Sequence, residues 1–540
     1  MATNLRGSTP PSPGDSSPVA DADAERSPLL MDSKKVDVLP LEAALTLTGS
    51  GLYTAYVTFS AGLALFAGMC NMQMMSVVIP VASCDLNMTS TQKGFLASAA
   101  FMGITLSSHL FGFLADICGR RAVLLLCTFT IGVISLLSSL SPTFVVLAAC
   151  WFAIGFMTGG IFCPAYVFIS EYCPQNVRGK CILIASAMSA TATAYLPSMS
   201  WLIVPLNIQV PLLGNLVFTS WRLFVALVPL TNFIPMFFLY TLSETPKYLL
   251  NAGKGEETLE LLRSIYSVNK RKPKEEFPLQ KVQLDHFDEI CQQKEEVGGN
   301  PILRMAKKML VQTAVLFSSK FILYTTTSSL MMIGVLGIYN SFLLWMPEQT
   351  KLMLLYSRNN TDFKATMCEV MSHEIEFENT VGSCDLNRNK FPPSIAIGMA
   401  QCVTFLLISL IADKVNKKYI IVAITGIPAA AAIALIYVDK LILIVSGIGV
   451  IVVFLLTAYP VCLSIAVESF PTSHRSTAAS IVLLFGRLAA TLGTQFFGYL
   501  FHHYCQTAYW AAASVLLGVI IVSVSSPLKR IDEQKEKSKS

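Results

Sequence analysis

From Ala55 onward the chain alternates between long apolar blocks and short polar or charged connections. Twelve blocks can be marked, at 55–82, 93–115, 121–140, 145–169, 181–205, 221–242, 320–346, 392–412, 419–438, 441–465, 476–500 and 505–526. Each is near the roughly 20 residues that a helix needs to cross a bilayer, and Gly and Pro inside such blocks are ordinary for transmembrane helices. The pattern predicts an all-α membrane protein. Two stretches interrupt it. Residues 243–319 are charged and in part helical in pattern, as in Glu256 to Arg263, whereas 347–391 are polar and carry Cys368 and Cys384. The first 40 residues are rich in Pro, Ser, Asp and Ala, a composition unable to bury enough apolar surface to offset its ordering entropy. The expected division is a cytosolic tail (1–50), a six-helix bundle (51–242), linker helices (243–319), a second six-helix bundle (320–526) with a loop at 347–391, and a short tail (527–540). No apolar core follows a basic start in the tail, so the first span is expected to act as the insertion signal.

Composition narrows the function classes. The 540 residues are 53% hydrophobic and 14% charged, against about 25% charged for soluble domains. A net charge of +5, spread along the chain, does not suggest a nucleic-acid partner. The 14 cysteines lie mostly in apolar blocks, where Cys behaves as a small hydrophobe. No metal-ligand spacing, nucleophile motif or phosphate-cradling glycine loop stands on a suitable element, so neither an enzyme nor a metal or other cofactor is expected. A monomer in the lipid bilayer is.

Charge also sets the expected orientation. With the amino terminus placed in the cytosol, that side holds 29 of the 39 basic residues and the other side 7, with 3 inside spans. Positive residues concentrate on the cytosolic side of membrane proteins, so both termini are expected inside. The sequons at Asn87 and Asn359 fall in connections assigned to the outside or lumen, as glycosylation requires. Cys368 and Cys384 share the second of these connections and are a candidate disulfide, with Cys84 a third cysteine on that side. In the tail, Glu25 with Leu29 and Leu30 fits the acidic dileucine pattern read by clathrin adaptors. That pattern addresses a protein to endosomal, lysosomal or secretory-vesicle membranes, with the plasma membrane as the other destination.

Self-similarity is the most informative feature. Asp116, Arg120 and Arg121 after the second block are matched by Asp413, Lys417 and Lys418 after the eighth. Glu171 and Arg178 after the fourth block are matched by Glu468 and Arg475 after the tenth, and each of these pairs is offset by 297 residues. Pro80 and Pro347, read as closing the first and seventh helices, are 267 apart, the difference being the longer 347–391 connection. Two duplicated six-helix halves explain this spacing, and two such bundles can rock about a site between them. Acidic and basic residues repeating in register at one membrane face suit a gate. In this reading Glu171 with Arg178, and Glu468 with Arg475, join the network of the Asp–Arg motifs.

Leu114-Ala115-Asp116 with Gly119-Arg120-Arg121 resembles the signature between helices 2 and 3 of the major facilitator superfamily, although Ile117 replaces the usual Arg and Asn416 the second-half Gly. Gly159-Gly160, Ser170-Glu171-Tyr172, Arg178-Gly179, Ser220-Trp221-Arg222, Glu244-Thr245-Pro246-Lys247, Trp345-Met346-Pro347 and Leu488-Ala489-Ala490 resemble the synaptic vesicle glycoprotein 2 family. These motifs span about residue 50 to 500 and imply the twelve-helix major facilitator fold. Two departures bear on function. Vertebrate members have a long luminal domain where this chain has only the 45 residues 347–391, so partners of that domain are not implied. Asn71 stands where an Asp is expected, which removes an ionisable coupling group.

An ionisable side chain near the bilayer centre is costly and marks function by default. Arg487 lies midway along the eleventh block, with no Asp or Glu in the middle of any span to neutralise it. It can attract an anionic solute or bond helix carbonyls. Asn71, Gln73, Tyr339 and Asn340 offer polar groups at matching depth in the first and seventh blocks, able either to orient a ligand or to hold helices together. The seventh block lacks the paired glutamines of sugar carriers, and the cavity carboxylate of an organic cation carrier is missing. The expectation is a transporter of a small organic anion by alternating access. The alternative is a vesicle trafficking or binding protein that keeps this fold with little transport.

Overall fold

A computed structural model describes residues 38–206, 208–211, 217–283, 313–319, 321–359, 365–372, 392–411, 415–470 and 475–525. The first half contains α2 (Leu52–Asp85), α3 (Ser90–Cys118), α4 (Arg120–Ser138), α5 (Phe144–Tyr172), the pair α6 (Gln175–Ala190) and α7 (Ala192–Ile203), and the pair α8 (Ser220–Leu227) and α9 (Leu230–Tyr240). The second half contains α12 (Ile322–Asn359), α14 (Pro392–Ile411), α15 (Lys417–Tyr437), α16 (Leu441–Glu468), α17 (Arg475–His503) and α18 (Cys505–Ser525). Among the described residues ten helices are long and apolar enough to cross a membrane. Helix α3, bent by 49°, makes an eleventh, and α14 carries a shorter apolar stretch, Pro392–Ile408.

Three short helices and a strand pair lie at one end. Helices α1 (Leu41–Thr48), α10 (Pro246–Asn251) and α11 (Gly255–Lys270) pack beneath the first half. Strand β1 (Val38–Pro40) pairs in parallel with β4 (Lys281–Gln283). A hairpin of β2 (Gln209–Pro211) and β3 (Val217–Thr219) caps the opposite end. Helix α11 is amphipathic, burying Leu261, Leu262, Ile265 and Tyr266, while its first turn carries Glu256 and Glu257 against the amide-rich helix start. Asn269 near its end ties it to the first span. Its amide accepts from the backbone of Tyr53 and Thr54 and donates to the Gly49 carbonyl and the Thr54 hydroxyl, at 2.9 to 3.3 Å. The end with α1, α10 and α11 is called the linker face below, and the end with Asn87 the sequon face.

Prolines behave differently from the expectation. Pro80 and Pro347 do not close their helices, since α2 runs to Asp85 and α12 to Asn359. In a bundle, neighbouring helices and local adjustment satisfy the carbonyl that a proline frees. Beyond Pro347 the chain buries Leu352 and Met353, so part of the supposed loop is helix. The disulfide expectation is also corrected, because Cys368 is bonded to Cys505 and not to Cys384. Short α13 (Met367–Ser372) buries Met367, Val370 and Met371 in the core of the second half. That docking carries Cys368 to the first residue of α18. Cys384, with Asp413 and the Glu25, Leu29 and Leu30 motif, lies outside the described residues.

Candidate functional site

The gating motif of the first half is built on a chain reversal. Gly119, with φ +98°, separates α3 from α4, and a Cβ there would overlap the Glu244 carboxylate. That carboxylate accepts from the backbone amides of Arg121 and Ala122 at 3.0 and 3.3 Å, and so caps the start of α4. Such a helix start gathers unsatisfied donors and attracts an anion. Arg120, 6% exposed, pairs with Asp116 at 2.6 Å and with Glu171 at 3.2 Å. Thr245 donates its hydroxyl to Glu171 at 2.6 Å, and Tyr172 donates to the carbonyls of Ser243 and Glu244. Arg121 reaches the Leu239 and Tyr240 carbonyls at the end of α9. Four elements therefore meet at one charged knot.

Arg178 belongs elsewhere. The sequence pairing of Glu171 with Arg178 is replaced by Arg120 with Glu171, while Arg178 binds both carboxylate oxygens of Glu42 on α1, at 2.8 and 2.9 Å. The reason is geometric, since Arg178 lies past Pro174, in α6, and turns toward α1. In the second half Lys417 donates to Ser464 at 2.7 Å, and the backbone amide of Lys418 donates to Asn416 at 3.0 Å. Glu468 ends α16 and Arg475 begins α17.

At the sequon face Asp85 accepts from the Trp221 indole at 2.9 Å and the Thr219 hydroxyl at 3.1 Å. Arg222 is 3.8 Å from the same carboxylate and donates to the Ser139 and Ser141 carbonyls. This joins the ends of α2, α4 and α8. Asn87 is exposed in the turn between α2 and α3, and Asn359 ends α12.

The interior polar residues divide into two groups. Arg487 on α17 donates to the Ser108 hydroxyl on α3, across the two halves, and is in the electrostatic reach of Tyr459 on α16 and Cys163 on α5. Tyr166, one turn from Cys163, meets Ser186 on α6 at 3.1 Å. All six side chains are half-buried. Among the described residues no carboxylate pairs with Arg487. Asn71, Gln73, Tyr339 and Asn340 form the other group and are at most 6% exposed. The Asn71 amide nitrogen donates to Asn232 on α9 at 3.0 Å and to the Ala67 carbonyl at 2.7 Å, while its oxygen has no hydrogen-bond partner. Asn340 donates back to the Leu336 carbonyl at 2.8 Å. Gln73 and Tyr339 each keep a buried polar atom without a hydrogen-bond partner.

The sequence singles out Arg487, Asp116 and Arg120 as candidates but not the neighbours the structure gives the charged and polar groups, Glu42, Asp85, Ser108 and Tyr459, and it offers Glu244 and Thr245 only as part of a family motif. The sharp Gly119 turn was a usable signal, because the freed amides of the next helix call for an anion. Nothing along the chain states which of many hydroxyls faces Arg487.

Two helical halves that meet at a polar centre suit a membrane transporter, and the Major Facilitator Superfamily matches residues 61–357 and 393–540. The chain belongs to that superfamily, a family of membrane transporters rather than enzymes. It is 28% identical over 250 residues to human synaptic vesicle glycoprotein 2B, covering 45% of this chain and 37% of that protein. It is 25% identical over 232 residues to organic cation/carnitine transporter 7 of Arabidopsis thaliana, covering 43% of each. The chain thus spans less than half of the length of these relatives. The inward-open xylose transporter XylE from E. coli shares the fold, with a TM-score of 0.60 at 16% identity, covering 88% of this chain and 96% of that one.

Proposed function

We propose that this protein moves a small organic anion across the membrane by alternating access, with Arg487 as the anion-binding group. The observation that supports this is an arginine at the junction of the halves, half-buried, bonded to a neutral hydroxyl and facing no carboxylate among the described residues. A charge so placed is costly in lipid unless a counter-ion visits it. Ser108 and Tyr459 can share an anion's oxygens with it. The Asp116, Arg120 and Glu171 knot, with Lys417 and Lys418 and the second-half residues Glu468 and Arg475, holds the linker face as the halves move. That face is taken as cytosolic, with Asn87 and Asn359 glycosylated on the other side, in a monomer resident in an endosomal, lysosomal, secretory-vesicle or plasma membrane.

Uptake of labelled organic anions, cations and sugars into proteoliposomes tests the reading. Anion uptake that Arg487→Ala abolishes and Arg487→Lys partly retains is expected, because a lysine keeps charge but not the planar fork of donors. Cation or sugar uptake indifferent to Arg487 overturns it. Absence of any uptake by folded protein transfers the weight to a trafficking or binding role.

A further inference from the structure

Beyond the Arg487 group the fold buries a second set of polar groups whose bonding capacity is not used up. Gln401 on α14 is fully buried, yet both its amide oxygen and its amide nitrogen lack a hydrogen-bond partner. The Tyr339 hydroxyl on α12 lies within interaction distance of that amide, and one such contact can use only one end of it. A buried polar atom left unpaired is costly, and a single Tyr339–Gln401 contact still leaves bonding capacity on the amide for something else that binds there. They stand at the junction between halves. Cys402, the neighbour of Gln401, meets the Ala190 carbonyl of α6 at 3.7 Å, and Ala190 belongs to the same buried cluster as Tyr339. Ser186, in the Arg487 group, is one turn of α6 from Ala190.

The depth can be read from helix packing. Helices α12 and α17 run side by side, Gly486 lying over Met332 and Leu336, and Gly493 over Gly337 and Ser341. Tyr339 is thus level with about residue 491 of α17, four residues or roughly 6 Å to the sequon side of Arg487. This is an offset along the helix axis, of the order that a small multifunctional acid can bridge.

We infer that Gln401 and Tyr339 form a hydrogen-bonding subsite for hydroxyl groups of the solute, so that the transported anion is a hydroxylated organic acid held by Arg487 at one end and by Gln401 and Tyr339 at the other. The inference rests on the anion reading above. Gln401 offers two donors and an acceptor and Tyr339 one of each, a set that matches hydroxyls, which both donate and accept. A site built to bond hydroxyls discriminates strongly against an analogue that lacks them, because its own polar groups then stay unpaired.

The test uses gluconate, a polyhydroxylated carboxylate, and hexanoate, its unhydroxylated counterpart of equal carbon number, measured by binding to the purified full chain. Native protein is expected to prefer gluconate at least tenfold. Gln401→Leu and Tyr339→Phe are expected to weaken gluconate about tenfold or more and leave hexanoate unchanged, whereas Arg487→Ala weakens both. Ligand-free Gln401→Leu is expected to melt no lower than the native protein, since it removes an amide most of whose bonding capacity is unused. Arg487-dependent binding that the Gln401 and Tyr339 variants do not bias between the two acids overturns the subsite alone. Binding of neither acid, or binding indifferent to Arg487, overturns it together with the anion reading. A large drop in the ligand-free melting point of Gln401→Leu would show that the amide serves the fold and would also overturn it.

Discussion

Gly119 meets a conformational and a steric demand at once. Its φ of +98° is strained for any side chain, and a Cβ would enter the Glu244 carboxylate that caps α4. Gly119→Ala is expected to lose about 1–2 kcal/mol from backbone strain alone, and more from displacing Glu244, read as a lower melting temperature in detergent with loss of uptake. The neighbouring ion pairs separate stability from motion. Arg120→Met strands the buried Glu171, and breaking a buried pair from one side costs about 3–5 kcal/mol. The double variant Arg120→Met with Glu171→Met removes both charges and is expected to recover most of that stability while transport stays impaired. Equal melting of the single and double variants would show that the pair has no such cost. The charged motif was legible because its residues repeat at an interval of 297. Its true partners were not, because Glu171 is bonded by residues from two other segments, Arg120 and Thr245, and a linear spacing to Arg178 carries no information about that.

At the scale of elements, apolar block length gave the spans almost directly, while breaks and extensions followed local packing. The sixth block is two helices, α8 and α9, parted at Pro229. The seventh continues past Pro347 because Leu352 and Met353 find a core to enter. Helix α13 was hidden altogether, since six residues in a polar stretch show no period. It is held by the Cys368–Cys505 bond across 137 residues of sequence. Closing so long a loop constrains the unfolded chain by about 2–5 kcal/mol. Cys368→Ser, Cys505→Ser and mild reduction of the native protein are expected to lower the melting temperature alike and to speed proteolysis within Met367–Ser372. Cys384→Ser is expected to do neither. The linker has its own clasp in Asn269, whose amide makes three bonds to the start of α2 and a fourth to Gly49 at the end of α1. Asn269→Ala should raise hydrogen exchange at the Tyr53 and Thr54 amides by about tenfold, as a loss near 1.4 kcal/mol of local opening energy implies.

For the whole molecule, duplication predicts two bundles that move against each other, and among the described residues the two meet at Arg487 and again to its sequon side. Gly398 near the start of α14 sits against the backbone of Thr193 and Ala194 on α7. Cys402, one turn further, meets Ala190, and Gln495 on α17 binds the Gly94 carbonyl and the Ser98 hydroxyl on α3. Periodicity alone could not place these contacts, because helices apolar on every side do not declare which face meets the partner half. Glycine at 398 lets two backbones touch, and a larger residue must hold them apart. Gly398→Leu is therefore expected to disfavour the state closed at the sequon face and shift the population toward the opposite state, lowering turnover severalfold while leaving Arg487-dependent anion binding intact. A Ser98→Cys substitution reports the shift, since Ser98 is only 1% exposed. A membrane-impermeant thiol reagent applied from the sequon side, with peptide mapping of the labelled site, should modify Cys at 98 slowly in the otherwise native chain and at least tenfold faster with Gly398→Leu. Unchanged labelling with unchanged turnover would mean that this close approach is packing within a face that never opens, and the seam at which the halves part would then have to lie elsewhere along α3 and α17.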